Sequence, residues 1–335
     1  MLNLSYKSFH IAGTGKYLPR QIVHSELLDQ KFVKPPGWVA RKSGVTQRHF
    51  ASPEETTSFM ATFAAQQALA NAKIKAEQLD CIIGACSIME QAIPGTATLV
   101  QKRLHLESSG IAAFDVNSTC LSFFTALDIA SCLIAAERFK KILIVSSEIP
   151  SLGLNWSDMA SATIFGDGAA AVVLTAGEES TASMFASRME TYSIGSEHCQ
   201  VKAGGTRWHP LSFTHLPEDY GLFEMDGKKA FKLAAEMIEK FLARLFHSSG
   251  ITLKDIDWVI PHQASKLSML HMRRKLGIPA HKWIDIFATH GNQVAASLPT
   301  ALHEAITSNK LQRGDTVLLL GSAAGISLGG MIFTY

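Results

Sequence analysis

Apolar residues follow two patterns along the chain. Short runs rich in Val, Ile and Leu predict strands: HIAGTG (10–15), CIIGAC (81–86), AAFDV (112–116), KILIVSS (141–147), AAAVVLT (169–175), DWVIP (257–261), WIDIF (283–287), TVLLLG (316–321) and GGMIFTY (329–335). Longer segments with apolar residues three and four apart predict helices over 56–72, 96–104, 120–137, 228–248, 264–276 and 293–307. Several strands are apolar at consecutive positions, as strands covered on both faces must be, so the alternation predicts α/β layering.

The two halves share an outline of strand, polar turn, helix, strand, glycine turn and closing strand. FGDGAAAVVL (165–174) and GSAAGISLGGMIF (321–333) are the matching endings. A duplicated unit is the expectation, carried by pattern and not by letters. The polar stretch GEESTASM (177–184) is the natural seam, which divides the chain into halves 1–178 and 179–335.

Composition adds limits. With 335 residues and 47% hydrophobic content the chain can bury a large core. Lys and Arg number 31 against 29 Asp and Glu, a net charge of +2, so electrostatics favours neither nucleic acid nor a membrane surface as the main partner. CLSFFTALDIASCLIAA (120–136) is short for a membrane span and contains Asp128, which makes it a buried helix. The N-terminal residues lack the basic-then-apolar layout of a secretion signal, and a cytoplasmic protein is expected. The five cysteines, Cys81, Cys86, Cys120, Cys132 and Cys199, form no C-x-x-C pair; they suit reduced thiols, with no metal site indicated.

Candidate chemistry begins at DVNSTCLSFFTAL (115–127), where Cys120 falls between a strand and an apolar helix. In the first helical turn, free N–H groups and the helix dipole would lower its pKa and arm it as a nucleophile. A cysteine on an apolar helix is as readily a packing residue, the reading that suits Cys132. Two further strand-end turns carry His262, in VIPHQAS, and Asn292, in HGNQVAASLP. Singly, a histidine is more often a surface or satisfied core residue, and an asparagine a turn or cap residue. The small-residue loop GSAAGISLGG (321–330) lets backbone approach a reacting group, where an N–H can stabilise an oxyanion, although a plain tight turn has the same composition. GTGK (13–16) lacks the spacing of a phosphate loop and reads as a strand end.

FDVNSTCLSF, FGDGAAAVV, VIPHQAS, HGNQVAASLP and the C-terminal small-residue loop, in that order, resemble the β-ketoacyl-acyl-carrier-protein synthase III condensing enzymes of the thiolase superfamily. The likeness runs from IAGTGKYLP (11–19) to the final strand. It implies a thiolase-like five-layered αβαβα fold of two pseudo-repeated halves, a homodimer, and a triad of Cys120, His262 and Asn292. It also implies an oxyanion hole from the backbone N–H groups of Cys120 and Ala324, acyl-CoA or acyl-carrier-protein thioesters as substrates, and no metal or redox cofactor. Acyl transfer to Cys120 would precede decarboxylative condensation with a malonyl or β-ketoacyl thioester.

The chain departs from the pattern in places. Ser322 and Ile93 stand where the resemblance implies aromatic residues around the acyl pocket, which Phe165 also lines; the lost bulk predicts an acyl donor longer than acetyl. Trp38 matches an adenine-stacking tryptophan, with Arg41 or Lys42 near phosphate, while Met159 stands for an expected arginine. Ser265 replaces an asparagine and Lys266 is a displaced basic residue. Lys232, Arg273, Arg274 and Lys275 are candidates for carrier-protein docking, or a solvated charged face. Glu90, in SIMEQAIPG, matches a glutamate that serves as general base in related non-decarboxylating condensing enzymes, or is a loop charge. The remaining alternatives are an acyltransferase to an alcohol or amine, a cysteine hydrolase, and a non-catalytic subunit of the same fold.

Overall fold

The computed structural model describes residues 9–177, 184–209 and 217–335. In the first half the strands are β1 (Phe9–Tyr17), β2 (Gln21–His24), β3 (Gln47–Phe50), β4 (Cys81–Gly84), β5 (Ala112–Asp115), β6 (Lys141–Glu148) and β7 (Gly168–Ala176). In the second half they are β8 (Met184–Thr191), β9 (Cys199–Gln200), β10 (Glu224–Met225), β11 (Trp258–Pro261), β12 (Thr316–Ala323) and β13 (Ser327–Thr334). The helices are α1 (Ser25–Lys31), α2 (Trp38–Ser43), α3 (Thr57–Ala72), α4 (Thr96–Arg103), α5 (Ser122–Ala135) and α6 (Met159–Ala162), then α7 (Gly227–Ser249), α8 (Lys266–Lys275), α9 (Phe287–His290) and α10 (Ser297–Thr307).

One sheet has the order β1-β7-β6-β4-β5 and the other β11-β12-β13-β8; β2–β3 and β9–β10 are separate ribbons. Side-chain alternation distributes each sheet over two cores. Ile142 and Ile144 of β6, with Val317, Leu319, Met331 and Phe333 of β12 and β13, meet α5 and α10 in a central core. Leu143 and Val145 point the other way, onto α3 and α4. Leu318, Leu320 and Ile332 point outward onto α7 and α8. The layers are therefore helices, sheet, helices, sheet, helices, the expected αβαβα order.

Two glycines set the spacing of one layer. A Cβ on Gly13 or Gly15 would come within 2.3 or 2.2 Å of the Ala68 or Ala64 carbonyl oxygen of α3. GTGK thus lies inside β1 and makes room for a helix, and is not a strand end. WIDIF is also corrected: only an isolated bridge from Trp283 to Val259 forms, and α9 begins at Phe287. The apolar side chains there pack under α8 and need no ladder. The first helical residue after Cys120 is Ser122, two positions later than the sequence pattern predicts. The seam GEESTASM falls mostly outside the described residues. No helix among the described residues is long and apolar enough to cross a membrane.

Candidate active site

β5 runs parallel to β4 and delivers the chain to a tight turn at 116–121. Asn117 shapes it: its Oδ1 accepts the Thr119 N–H at 2.9 Å and its Nδ2 donates to the Ser87 carbonyl oxygen at 2.8 Å. Thr119 takes a left-handed φ of 51°, an uncommon conformation for a β-branched residue and one that turns the next residue away from the strand path. That next residue is Cys120, half-buried and lining a cavity of about 1510 Å³.

His262 follows β11, where its N–H donates to the Leu320 carbonyl oxygen at 2.8 Å. It is 4% exposed, and its Nδ1 is buried without a hydrogen-bond partner. Asn292 follows Gly291, whose φ of 67° and ψ of −165° suit only glycine. Its Nδ2 donates to the Ala264 carbonyl oxygen at 3.2 Å, and its Oδ1 accepts the Val294 N–H at 2.8 Å. One amide N–H is thus used to hold the side chain and the other is left over. Cys120, His262 and Asn292, from three distant segments, line one cavity.

Close backbone approach brings the nucleophile's turn to the second half. Leu121 fits over Gly321 of β12 and Gly329 of β13; a Cβ on Gly321 would come within 2.9 Å of Leu121 Cδ2 and 3.0 Å of His262 Cβ. The turn after β12 then carries Ala324 to the sulfur, and Thr119 Oγ1 donates to the Ala324 carbonyl oxygen at 3.5 Å. The backbone N–H groups of Ala324 and Cys120 face the Cys120 thiol and act to lower its pKa. N–H groups beside the sulfur are also close to where the oxygen of an attacked carbonyl would lie, the place oxyanion donors must serve.

The electrostatics of the thiol corrects the sequence expectation. Burial pushes Cys120 up to about 12, the buried Glu148 charge adds to the rise, and the two N–H groups only partly oppose it. The helix end does not lower it, because Cys120 lies before the first turn and the amides of Leu121 and Ser122 are already bonded to the Ser118 and Thr119 carbonyl oxygens. Burial lowers His262 to about 4, which keeps the imidazole neutral at ordinary pH.

The other sequence candidates divide. Phe165, Ser322, Ser265, Arg274, Lys275 and Glu90 line the cavity with the triad. Glu90 accepts the Ser58 N–H at the start of α3 at 2.5 Å, so its carboxylate is already partly engaged. Ser265 caps α8 by accepting the Ser268 N–H at 3.2 Å. Ile93 is 86% exposed and is not among the residues lining its own chain's cavity. Trp38 is half-buried against Val23, Leu28 and Val39 and stands off the cavity wall, as do exposed Arg41 and Lys42. Lys266 lays its stem across Gly44, Lys232 lines a separate shallow groove, and Arg273 is half-buried on α8; none lines the main cavity. Sequence reasoning missed Glu148 and Cys199. Glu148 had a signal, an acid closing an apolar strand, while Cys199 had none beyond its residue type.

Comparison with known proteins follows the same outline. The family model described as 3-oxoacyl-[acyl-carrier-protein (ACP)] synthase III matches residues 114–193, and its C-terminal counterpart matches residues 246–335. The chain is 34% identical to the β-ketoacyl-[acyl-carrier-protein] synthase III of Aquifex aeolicus over 97% of this chain and 99% of that protein. It is also 34% identical to the Methylococcus capsulatus protein of the same name, over 97% and 98%. The A. aeolicus crystal structure superposes with a TM-score of 0.87 at 32% identity, covering 98% of this chain and all 100% of the other. The Pseudomonas aeruginosa enzyme gives 0.87 at 27%, covering 98% of each.

Proposed function

The chain belongs to the 3-oxoacyl-[acyl-carrier-protein] synthase III family, and on that premise we propose that it joins an acyl thioester to a malonyl thioester through Cys120. The observation that carries this reading is the shared cavity of Cys120, His262 and Asn292, with the Ala324 and Cys120 N–H groups on the sulfur. In the first step the thiol sulfur attacks the acyl carbonyl, the Ala324 and Cys120 N–H groups hold the tetrahedral oxyanion, and the donor leaves as free thiol carrying the cysteine's proton. In the second, the malonyl thioester loses carbon dioxide, and neutral His262 and the spare Asn292 N–H donate to the enolate oxygen. The enolate carbon then attacks acyl-Cys120, giving a β-ketoacyl thioester and free Cys120 thiolate, which takes up a proton.

An acyl donor longer than acetyl is supported by the small Ser322 on the wall of a cavity of about 1510 Å³, part of which must hold the thioester's carrier arm. The cavity's inner walls are apolar, with Leu154, Ile164, Phe165, Phe223, Ile238 and Leu328 among them. Arg274 at the cavity supports contact with a thioester's phosphate or an acidic carrier, whereas Lys275 there is engaged by the Ala235 carbonyl oxygen and Glu239. Homodimer formation is supported by β5, an edge strand on which Phe114 is exposed. Ile93, outward on the loop after β4, would reach a partner's acyl pocket only across such an interface.

Intact-mass measurement after incubation with a series of acyl-CoA donors tests the reading. One acyl group should appear on wild-type protein, fastest with a medium or long chain, and none on C120A. Addition of malonyl carrier protein should then release a β-ketoacyl product. Acetyl-CoA acting as the best donor would overturn the chain-length proposal, and acylation absent with every donor would overturn the function. A second reading keeps Glu90 as the base of a non-decarboxylating condensation, favoured by its place on the same cavity. A product formed without carbon dioxide from malonyl-free donors, and lost in E90Q, distinguishes it.

A further inference from the structure

Glu148 ends β6 and is 1% exposed, yet among the described residues no cation pairs with it. Its carboxylate accepts the Ser87 N–H at 2.5 Å, and the backbone N–H groups of Ile88 and Ala295 face it and pull its pKa down. A carboxyl buried without a counter-charge is costly to keep, and such groups cluster where their charge or their reach is used. We propose that Glu148 is a positioning residue for the nucleophile, tying the turn that bears Cys120 to the turn that bears Asn292 and setting, by its negative charge, the pH at which Cys120 reacts.

The geometry runs in two directions from this one side chain. Toward the nucleophile, Ser87 gives its N–H to Glu148 and its carbonyl oxygen to Asn117 Nδ2 at 2.8 Å. Asn117 Oδ1 in turn holds the Thr119 N–H at 2.9 Å, one residue before Cys120. Toward the other half, β6 packs against the single helical turn Val294–Ala296, where the Ala295 N–H faces Glu148 and the first N–H is held by Asn292 Oδ1 at 2.8 Å. Movement of the carboxylate would therefore be felt at both turns.

Its charge acts on the same groups. Burial pushes Glu148 up to about 8, against the pull of its three N–H donors, and Asp167 ahead of β7 raises it further. The titratable groups facing Glu148 are Cys86 at the end of β4, Cys120 on its turn, and Asp167; ionised Glu148 raises both thiols. Removing the negative charge therefore favours thiolate, and Cys120 should react at lower pH.

This inference rests on Cys120 being the reactive thiol, but its test involves no thioester. Iodoacetamide alkylation is followed across the pH range by intact mass, with peptide mapping to separate Cys120 from Cys132 and Cys199. The E148Q profile should move to lower pH by about one unit. E148D keeps the charge, and its profile should stay with the wild type even where its melting temperature falls. The wild-type profile should itself bend near pH 8, where Glu148 ionises. A folded E148Q with an unmoved profile overturns the proposal, as does E148D moving as far as E148Q. Should E148Q not fold, a wild-type profile that follows a single thiol titration without the bend overturns it. Failure of thioester acylation would leave this result intact, and the converse also holds.

Discussion

His262 illustrates how burial alone prepares a residue for one task. With its pKa lowered from 6.5 to about 4 by burial, it is neutral at ordinary pH, which suits the hydrogen-bond donor proposed for it. H262A should retain acylation of Cys120 and lose condensation about 10²-fold or more, the usual cost of removing one donor from a developing oxyanion, as separate intact-mass and product assays will read. The same burial has a stability sign. Below 6.5 the unfolded chain takes up a proton that the native imidazole refuses, so this contribution is complete above 6.5 and is lost as pH falls toward about 4. Urea titrations of wild type and H262A should diverge least in that acid range, the loss in wild type being on the order of 3 kcal/mol. At this scale Cys120 and His262 stood out because each lies in a polar turn after a strand, whereas Asn292 follows the short helix α9 and Gly291, so only its Gly-marked turn signalled it. The pKa of Cys120 was not legible, because burial and the Glu148 charge depend on what surrounds the sulfur in space.

The turns and strands that carry these residues depend on glycine at close approaches. Gly321 sits between Leu121 and His262, with no room for a methyl group on either side. G321A should separate the nucleophile's turn from the histidine strand, lowering condensation by about tenfold to a hundredfold at a stability cost of about 1–3 kcal/mol. Steady-state rates and melting curves on one preparation check both figures, and an unchanged rate would show that the two elements do not need this contact. The long helices and the strands buried on both faces were readable from periodicity. WIDIF misled because Trp283, Ile284 and Phe287 are buried by packing in two cores, which gives the apolar density of a strand without the hydrogen bonds of one. The start of α5 was read early because Thr119, in a left-handed conformation, breaks the helix path in a way its side chain does not advertise.

Across the whole molecule, five layers place the two sheets back to back over α5 and α10, and the cavity opens where residues from both halves meet. Among the described residues, one edge of β5 has no neighbour strand. Sedimentation should give a dimer, and F114D, which puts a charge on that exposed edge, should shift it toward monomer; a wild-type monomer that remains fully active would rule the dimer out as a requirement. The sequence by itself determined α/β layering, because side-chain period is a local property that survives in one dimension, while the five-layered order and the Cys120, His262 and Asn292 set came from the resemblance its ordered motifs carry. Tertiary structure alone decided the convergence of Cys120, His262 and Asn292 on one cavity, the upward push on the Cys120 thiol, and the burial of Glu148 against Ser87. Trp38, which the resemblance points to as a CoA contact, and Lys232 and Lys266 lie off the walls of this cavity. Distance, desolvation and charge coupling act through space, and residues far apart along the chain acquire them only when the layers close.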